Sequence, residues 1–285
     1  MLPREPFALG VCSWSLQVRS IPELKTFLDR LGINRVQIAC GDPHHADWVE
    51  GDRMPEAARA AGFDMTGAML GFPGEDYTTP QTIARTGGFG DPALREERLR
   101  RLQWALERTQ ALGLQDLMFH GGFIPEPGSK DYGPFLATLR KASKLAEPFG
   151  ITLALETGQE TSTRLRQFLD DLACANVKVN FDPANMILYD MDEPLQAVEL
   201  LGKDIRSVHV KDAKRTKVKG TWGEEVPLGQ GEVNIPAFIQ TLHRVGYRGP
   251  LCVEREVGDQ ASRLQDIAMG LRLLQACLVK QTPSK

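Results

Sequence analysis

Short apolar runs alternate with amphipathic stretches along the whole 285-residue chain. The runs at 7–11, 35–39, 65–70, 116–119, 151–155, 177–181, 207–210 and 250–253 read as strands. Several, such as ITLAL and PLCV, are apolar at consecutive positions, the pattern of parallel strands covered on both faces. Between them, apolar residues recur at helical spacing over 21–31, 55–61, 92–112, 133–149, 162–173, 194–201, 236–245 and 261–279. Proline opens several of these segments, and Gly32, Gly62, Gly113, Gly150, Gly202 and Gly246 follow their ends. Proline's fixed φ suits a first helical turn and glycine's freedom suits a helix stop. Residues 71–90, rich in Gly, Pro and Thr, show neither period and read as a long loop over the site.

Strand–helix units that follow one another without a break in composition predict an α/β fold. The expectation is a (β/α)8 TIM barrel, with residues 1–285 as a single domain. A doubly wound open sheet is the alternative. Its dinucleotide signature G-x-G-x-x-G is missing, because GQGEVN at 229–234 lacks the third glycine and follows no strand.

Composition narrows the partners. With 34 Lys+Arg against 37 Asp+Glu the net charge is −3, which argues against a sequence-independent grip on nucleic acid. No apolar run approaches the ~20 residues of a membrane helix, and the N-terminus lacks a signal-peptide pattern. The cysteines, Cys12, Cys40, Cys174, Cys252 and Cys277, are odd in number and scattered, as reduced thiols are. The expectation is a cytoplasmic protein with a small-molecule substrate and neither nucleic acid nor membrane as partner.

In a barrel the chemistry belongs where strands end. Strand 5 ends ALET and delivers Glu156; strand 6 ends VNFD and delivers Asp182. Strand 7 ends SVHV with His209, and strand 8 ends LCVE with Glu254. Taken singly, each is an ordinary helix cap or loop partner. On four consecutive strands, three carboxylates would repel one another and take up protons unless a cation neutralised them. The pattern therefore predicts one divalent metal ion held by Glu156, Asp182, His209 and Glu254. Oxygen donors with one imidazole suit Mn²⁺, Mg²⁺, Co²⁺, Fe²⁺ or Zn²⁺, and the mixed set does not itself choose among them; manganese is the ion expected first.

The segments ALETGQE, VNFDPAN, SVHVKDAKR and PLGQGEVNIPAFIQTLHRVGYRGPLCVERE resemble the xylose isomerase-like TIM barrel superfamily. Within it they are similar to the sugar phosphate isomerase/epimerase group, with hydroxypyruvate isomerase, inosose dehydratase and ketose 3-epimerases. The resemblance implies the same four metal ligands, with Glu156 and Glu254 as the acid/base pair. It implies that Arg215, six residues after His209, holds substrate, and that the protein assembles as a homodimer or homotetramer. Two positions depart from the ketose 3-epimerases: Asn185 stands where they carry His, and Ser162 where they carry a second Glu, with Gln159 and Glu160 nearby.

Such a site acidifies the C–H between a ketone and its neighbouring hydroxyl and supports a metal-stabilised cis-enediolate. Proton return to the opposite face gives epimerisation, and return to the adjacent carbon gives isomerisation. Loss of a β-hydroxyl would instead make a dehydratase or other lyase of a keto-sugar or keto-inositol. A DNA-repair reading rests on the AP endonuclease family, which shares the barrel and a His209/Asp212 spacing. That family needs further histidines, one of them where Asn185 stands. A non-catalytic sugar-binding barrel is a fourth reading.

Other residues, Asn185 among them, are candidates for substrate contact. Trp14 in VCSWS can stack on a sugar face. His120 in LMFHGG is followed by two glycines that permit close backbone approach. Lys211 can polarise a substrate oxygen, and the basic stretch 211–219 can receive an anion. His44 and His45 follow strand 2 and are weak candidates; His243 reads as surface.

Overall fold

The computed structural model describes residues 7–41 and 48–279. Parallel strands close into a barrel: β1 (Leu9–Cys12), β2 (Arg35–Ala39), β3 (Asp64–Leu70), β4 (Asp116–Phe119), β5 (Thr152–Glu156), β6 (Val177–Phe181) and β7 (Ile205–Val210). A small antiparallel hairpin, β8 (Asp212–Lys214) and β9 (Glu224–Val226), precedes the last barrel strand, β10 (Leu251–Val253). The ring closes where β10 pairs with β1, in the register Leu9 to Leu251, Gly10 to Cys252 and Val11 to Val253. Closure excludes the open sheet.

The helices are α1 (Ile21–Leu31), α2 (Met54–Ala60), α3 (Pro80–Thr86), α4 (Arg95–Ala111), α5 (Tyr132–Ala146), α6 (Ser162–Leu172), α7 (Pro183–Leu188), α8 (Pro194–Leu201), α9 (Ile235–Arg244) and α10 (Gln260–Val279). Local chemistry starts and stops them. Ser20 Oγ accepts the Glu23 N–H at the head of α1, with Pro22 in the first turn, and Gly32 ends it at φ +69°. Among the described residues no helix is long and apolar enough to cross a membrane.

Three elements depart from the sequence pattern. The segment 71–90 is not all loop: it contains α3, capped by reciprocal bonds between Thr79 and Thr82. The short α7 follows β6 with five of its six residues buried, so it has no polar stripe to betray it. The β8–β9 hairpin rises from the end of β7 and is only three residues wide.

Alternate strand residues face the lumen. Cys12, Ala39, Met69, Met118, Ala154 and Cys252 form an inner layer with Trp14, separate from the larger core between strands and helices. These side chains are small or unbranched, which leaves the mouth above them open. Near the mouth, backbone packs on backbone. A Cβ at Gly88 would lie 2.2 Å from Gly121 C, and one at Gly122 2.7 Å from Gly87 O. Only glycines allow the 87–90 segment to lie against the end of β4 and flank His120.

Candidate active site

At the strand ends a cavity of about 460 Å³ opens, within the usual range for a ligand site. Glu156 and Glu254 border it, and Asp182 and His209 lie fully buried beneath. The strand order β10, β7, β6, β5 puts Glu254, His209, Asp182 and Glu156 on four adjacent strands, with the two glutamates at the ends of the arc. One ligand-type atom from each lies within 4.8 Å of the others.

Each side chain is held by partners that leave one atom turned inward. Asp182 caps α7: its Oδ1 accepts from the backbone N–H groups of Ala184 and Asn185, at 2.8 and 3.1 Å. Its buried Oδ2 has no hydrogen-bond partner, and Lys211 Nζ is an ion-pair neighbour at 3.2 Å. His209 Nε2 lies 2.6 Å from Gln37 Oε1, a pairing that calls for an N–H on Nε2. Its Nδ1 faces Glu156 Oε1 at 2.9 Å and Glu254 Oε1 at 3.5 Å. Asn180, itself accepting from Ser207 Oγ, reaches Glu156 Oε1 at 3.5 Å. Trp14 Nε1 donates to Glu254 Oε1 at 2.7 Å, and Lys211 Nζ to Glu254 Oε2 at 2.7 Å.

The charges respond to this crowding. Burial pushes the Asp182 carboxyl up to about 8, reinforced by Glu254 and Glu156 and only partly opposed by Lys211. Burial pushes Glu254 up as well, but Lys211 and His209 more than offset it and hold it well below the usual carboxylate range. Burial disfavours the Lys211 ammonium, yet Asp182, Glu254 and Glu256 outweigh this and keep it charged.

This donor set fits a divalent cation. A buried carboxylate oxygen without a hydrogen bond, two further glutamate oxygens and an imidazole nitrogen converge, and the other imidazole nitrogen is tied to an amide oxygen. That last contact is the outer-shell support a metal-binding histidine ordinarily has.

The remaining sequence candidates divide. Trp14, His120 and Asn185 line the cavity. His120 is 7% exposed, and neither ring nitrogen has a hydrogen-bond partner. Burial lowers its proton affinity, with Glu156 opposing, so the ring is neutral. Asn185 Nδ2 donates to Thr157 O at 3.3 Å. Lys211 does not face the cavity: Glu254, Glu256 and Asp182 surround its ammonium. Arg215 does not reach the cavity either. It pairs with Asp190 at 3.0 Å and Glu193 at 2.8 Å, because the β8 backbone turns it toward the α7–α8 connection. The rest of the basic stretch, Lys214, Lys217 and Lys219, is exposed and lines no part of the cavity. Asp212 serves the loop: it accepts from the backbone N–H groups of Ala213, Gly229, Gly231 and Val233. His44 and His45 lie outside the described residues, and His243 is exposed.

Sequence reading missed several lining or supporting residues. Gln37 and Asn180 carried a signal, being polar residues inside strands covered on both faces. Asn180 also sits two residues before Asp182, on the same strand face. Glu75, Tyr77, Tyr189, Trp222, Glu225 and Glu256 come from loops and short elements without a period. Trp222 packs edge-on against Tyr189 at 4.6 Å and donates from Nε1 to Tyr77 O at 3.1 Å. Those contacts tie the hairpin to the loop after β3 across the cavity mouth.

Comparisons with known proteins agree with this architecture. The sequence pattern of the xylose isomerase-like TIM barrel matches residues 19–277. The crystal structure of a xylose isomerase domain protein from Planctomyces limnophilus is 33% identical, with a TM-score of 0.87 over 96% of this chain and 98% of that one. L-ribulose-5-phosphate 3-epimerase UlaE from Escherichia coli is 25% identical over 173 residues, 59% of each chain. The IOLI protein, crystallised with a zinc atom, shares the fold at 15% identity and a TM-score of 0.72, over 98% of this chain and 100% of that one. The chain spans about three-fifths of the length of the curated relatives it matches. With a closed barrel, a carboxylate–imidazole cluster at its mouth and a pattern that matches nearly end to end, the chain belongs to the xylose isomerase-like TIM barrel family.

Proposed function

We propose that this protein is a divalent-metal-dependent isomerase or epimerase of sugars or sugar phosphates, with Glu156 and Glu254 as the acid/base pair. The observation that carries the reading is the buried Oδ2 of Asp182, without a hydrogen bond and with the Lys211 ammonium at 3.2 Å, set among His209 Nδ1 and the two glutamates beneath an open cavity. Lys211 is shared with Glu254 and Glu256 and offsets only part of the cost of burying this carboxylate, and a divalent cation would remove the rest. The zinc atom reported with the IOLI protein, which shares the fold, supports metal binding. Mn²⁺ is the first choice, with Mg²⁺, Co²⁺, Fe²⁺ and Zn²⁺ as competitors.

Glu156, Asp182, His209 and Glu254 would hold the ion. When bound, a divalent cation supplies Lewis acidity to a carbonyl and a neighbouring hydroxyl, which acidifies the C–H between them. The protein's own groups do the rest. Glu254, kept ionised by Lys211 and His209, takes a proton at Oε1 or Oε2. Trp14 and Lys211 hold its two oxygens in place. Glu156, at the other end of the arc of strands, delivers or removes a proton from the opposite side. His120 offers a donor and an acceptor to a substrate hydroxyl, and Tyr189 and Trp222 narrow the mouth and exclude water.

Proton exchange tests this reading. Metal-supplemented protein is incubated in D₂O with free and phosphorylated ketoses and followed by NMR, beside Glu254→Gln and Glu156→Gln. Deuterium entering next to the carbonyl, reduced at least a hundredfold in either variant, is the expected result. No exchange across the panel, with metal shown to be bound, removes the isomerase and epimerase reading.

A further inference from the structure

We propose that the cavity selects an uncharged polyhydroxylated ketone, a free keto-sugar or keto-cyclitol, and discriminates against its phosphorylated and carboxylated derivatives. The proposal rests on the metal-dependent sugar chemistry above and narrows its substrate class. The described wall of the cavity carries five carboxylates, Glu75, Glu156, Glu225, Glu254 and Glu256, and neither lysine nor arginine.

Cations lie behind this wall, each already engaged by carboxylates. Lys211 gives its ammonium to Glu254 and Glu256 at 2.7 and 2.9 Å. Arg255 pairs with Glu225 at 2.6 Å and Asp266 at 2.9 Å. Arg215, the residue expected to hold substrate, is fastened to Asp190 and Glu193. Recognition of a phosphate normally uses a guanidinium or ammonium with free donors, or a row of backbone N–H groups at a helix start. A divalent ion beside Glu156, Asp182 and Glu254, with the Lys211 ammonium already against two of them, would leave that group without surplus positive charge for a phosphate. The outer carboxylates are themselves committed: Glu256 to Lys211, Glu225 to Arg255, and Glu75 to the backbone N–H groups of Phe72 and Gly88. A terminal phosphate in this partly desolvated space would meet carboxylate oxygens and no uncommitted ammonium or guanidinium on the described wall.

The other lining groups suit an uncharged polyol. Neutral His120 presents one donor and one acceptor, neither paired within the protein, which matches a hydroxyl's two roles. Carboxylate oxygens accept from hydroxyls. The rings of Tyr189 and Trp222, packed edge to face, offer flat apolar surface to C–H faces.

Binding can be read apart from turnover. D-ribulose, D-xylulose, D-fructose and D-psicose are each titrated against their 5- or 6-phosphate on the Mn²⁺-loaded protein. Quenching of tryptophan fluorescence reports occupancy, since Trp14 and Trp222 line the cavity, and deuterium exchange runs in parallel. The expected result is a Kd at least tenfold tighter for a free ketose than for its phosphate, the gap narrowing as salt rises. Val257→Lys, at a half-exposed lining position, narrows the same gap at low salt. Equal or tighter binding of the phosphates overturns the proposal. So does the absence of quenching by either series, which rejects the named class altogether. Tighter binding of free ketoses without exchange upholds the charge selectivity and rejects the isomerase and epimerase reading instead.

Discussion

His209 reaches across the barrel floor to Gln37, its Nε2 lying 2.6 Å from the amide Oε1. The contact joins β7 to β2, and it leaves Nδ1 as the nitrogen that faces the carboxylates. Gln37→Leu removes the acceptor while keeping most of the volume. Metal affinity should fall 10- to 100-fold, as it does when such supporting contacts are lost. Titration calorimetry with Mn²⁺ reads it, with circular dichroism confirming an intact fold. An unchanged affinity would mean that Gln37 does not orient the imidazole.

Metal binding should release protons. With its carboxyl pushed up to about 8, Asp182 is largely protonated at pH 7 without metal, whereas a cation needs the carboxylate. Burial disfavours the His209 imidazolium, but its carboxylate neighbours more than offset this and raise its proton affinity, so its Nδ1 must also shed a proton and apparent affinity rises with pH through neutrality. Calorimetry in buffers of different ionisation enthalpy counts the protons. An affinity independent of pH between 6 and 8 would contradict this account.

Asp212 is a structural anchor despite its place beside Lys211. Its carboxylate accepts four backbone N–H groups, and three of them, those of Gly229, Gly231 and Val233, pin residues 229–233 to the start of β8. Each buried N–H left without an acceptor costs about 1–3 kcal/mol. Asp212→Ala should therefore lose at least about 3 kcal/mol of stability in urea unfolding. A loss below about 1 kcal/mol would show that water replaces the carboxylate.

At the far end of the barrel, Asp204 receives Lys178 Nζ at 2.7 Å and the guanidinium of Arg166. Burial pushes its carboxyl up, but those two cations more than offset it, and the net shift is downward. A carboxylate with a lowered folded pKa adds stability above its unfolded pKa near 4 and loses it as pH falls through the folded value. Asp204→Asn should lower Tm by a few degrees at pH 7, with the difference disappearing in strong acid. An equal Tm deficit at every pH would assign the effect to packing instead.

Period and punctuation along the chain determined the barrel. Parallel strands buried on both faces need unbroken apolar runs, and the covering helices need stripes, so both leave local marks that end at proline and glycine. The four clustered positions proposed to hold a metal were legible for the same reason: Glu156, Asp182, His209 and Glu254 each end an apolar strand, and strand ends converge at one rim. Only the tertiary structure decided what each polar atom does. It gave one oxygen of Asp182 to the cap of α7 and left the other without a hydrogen bond, beside the Lys211 ammonium. It surrounded Lys211 with carboxylates and turned Arg215 outward. It brought Glu75, Tyr77, Tyr189 and Trp222 to one cavity from segments far apart in sequence. Hydrogen-bond partners and local charge depend on distances between remote residues, and those distances come from closing the ring, not from any local pattern.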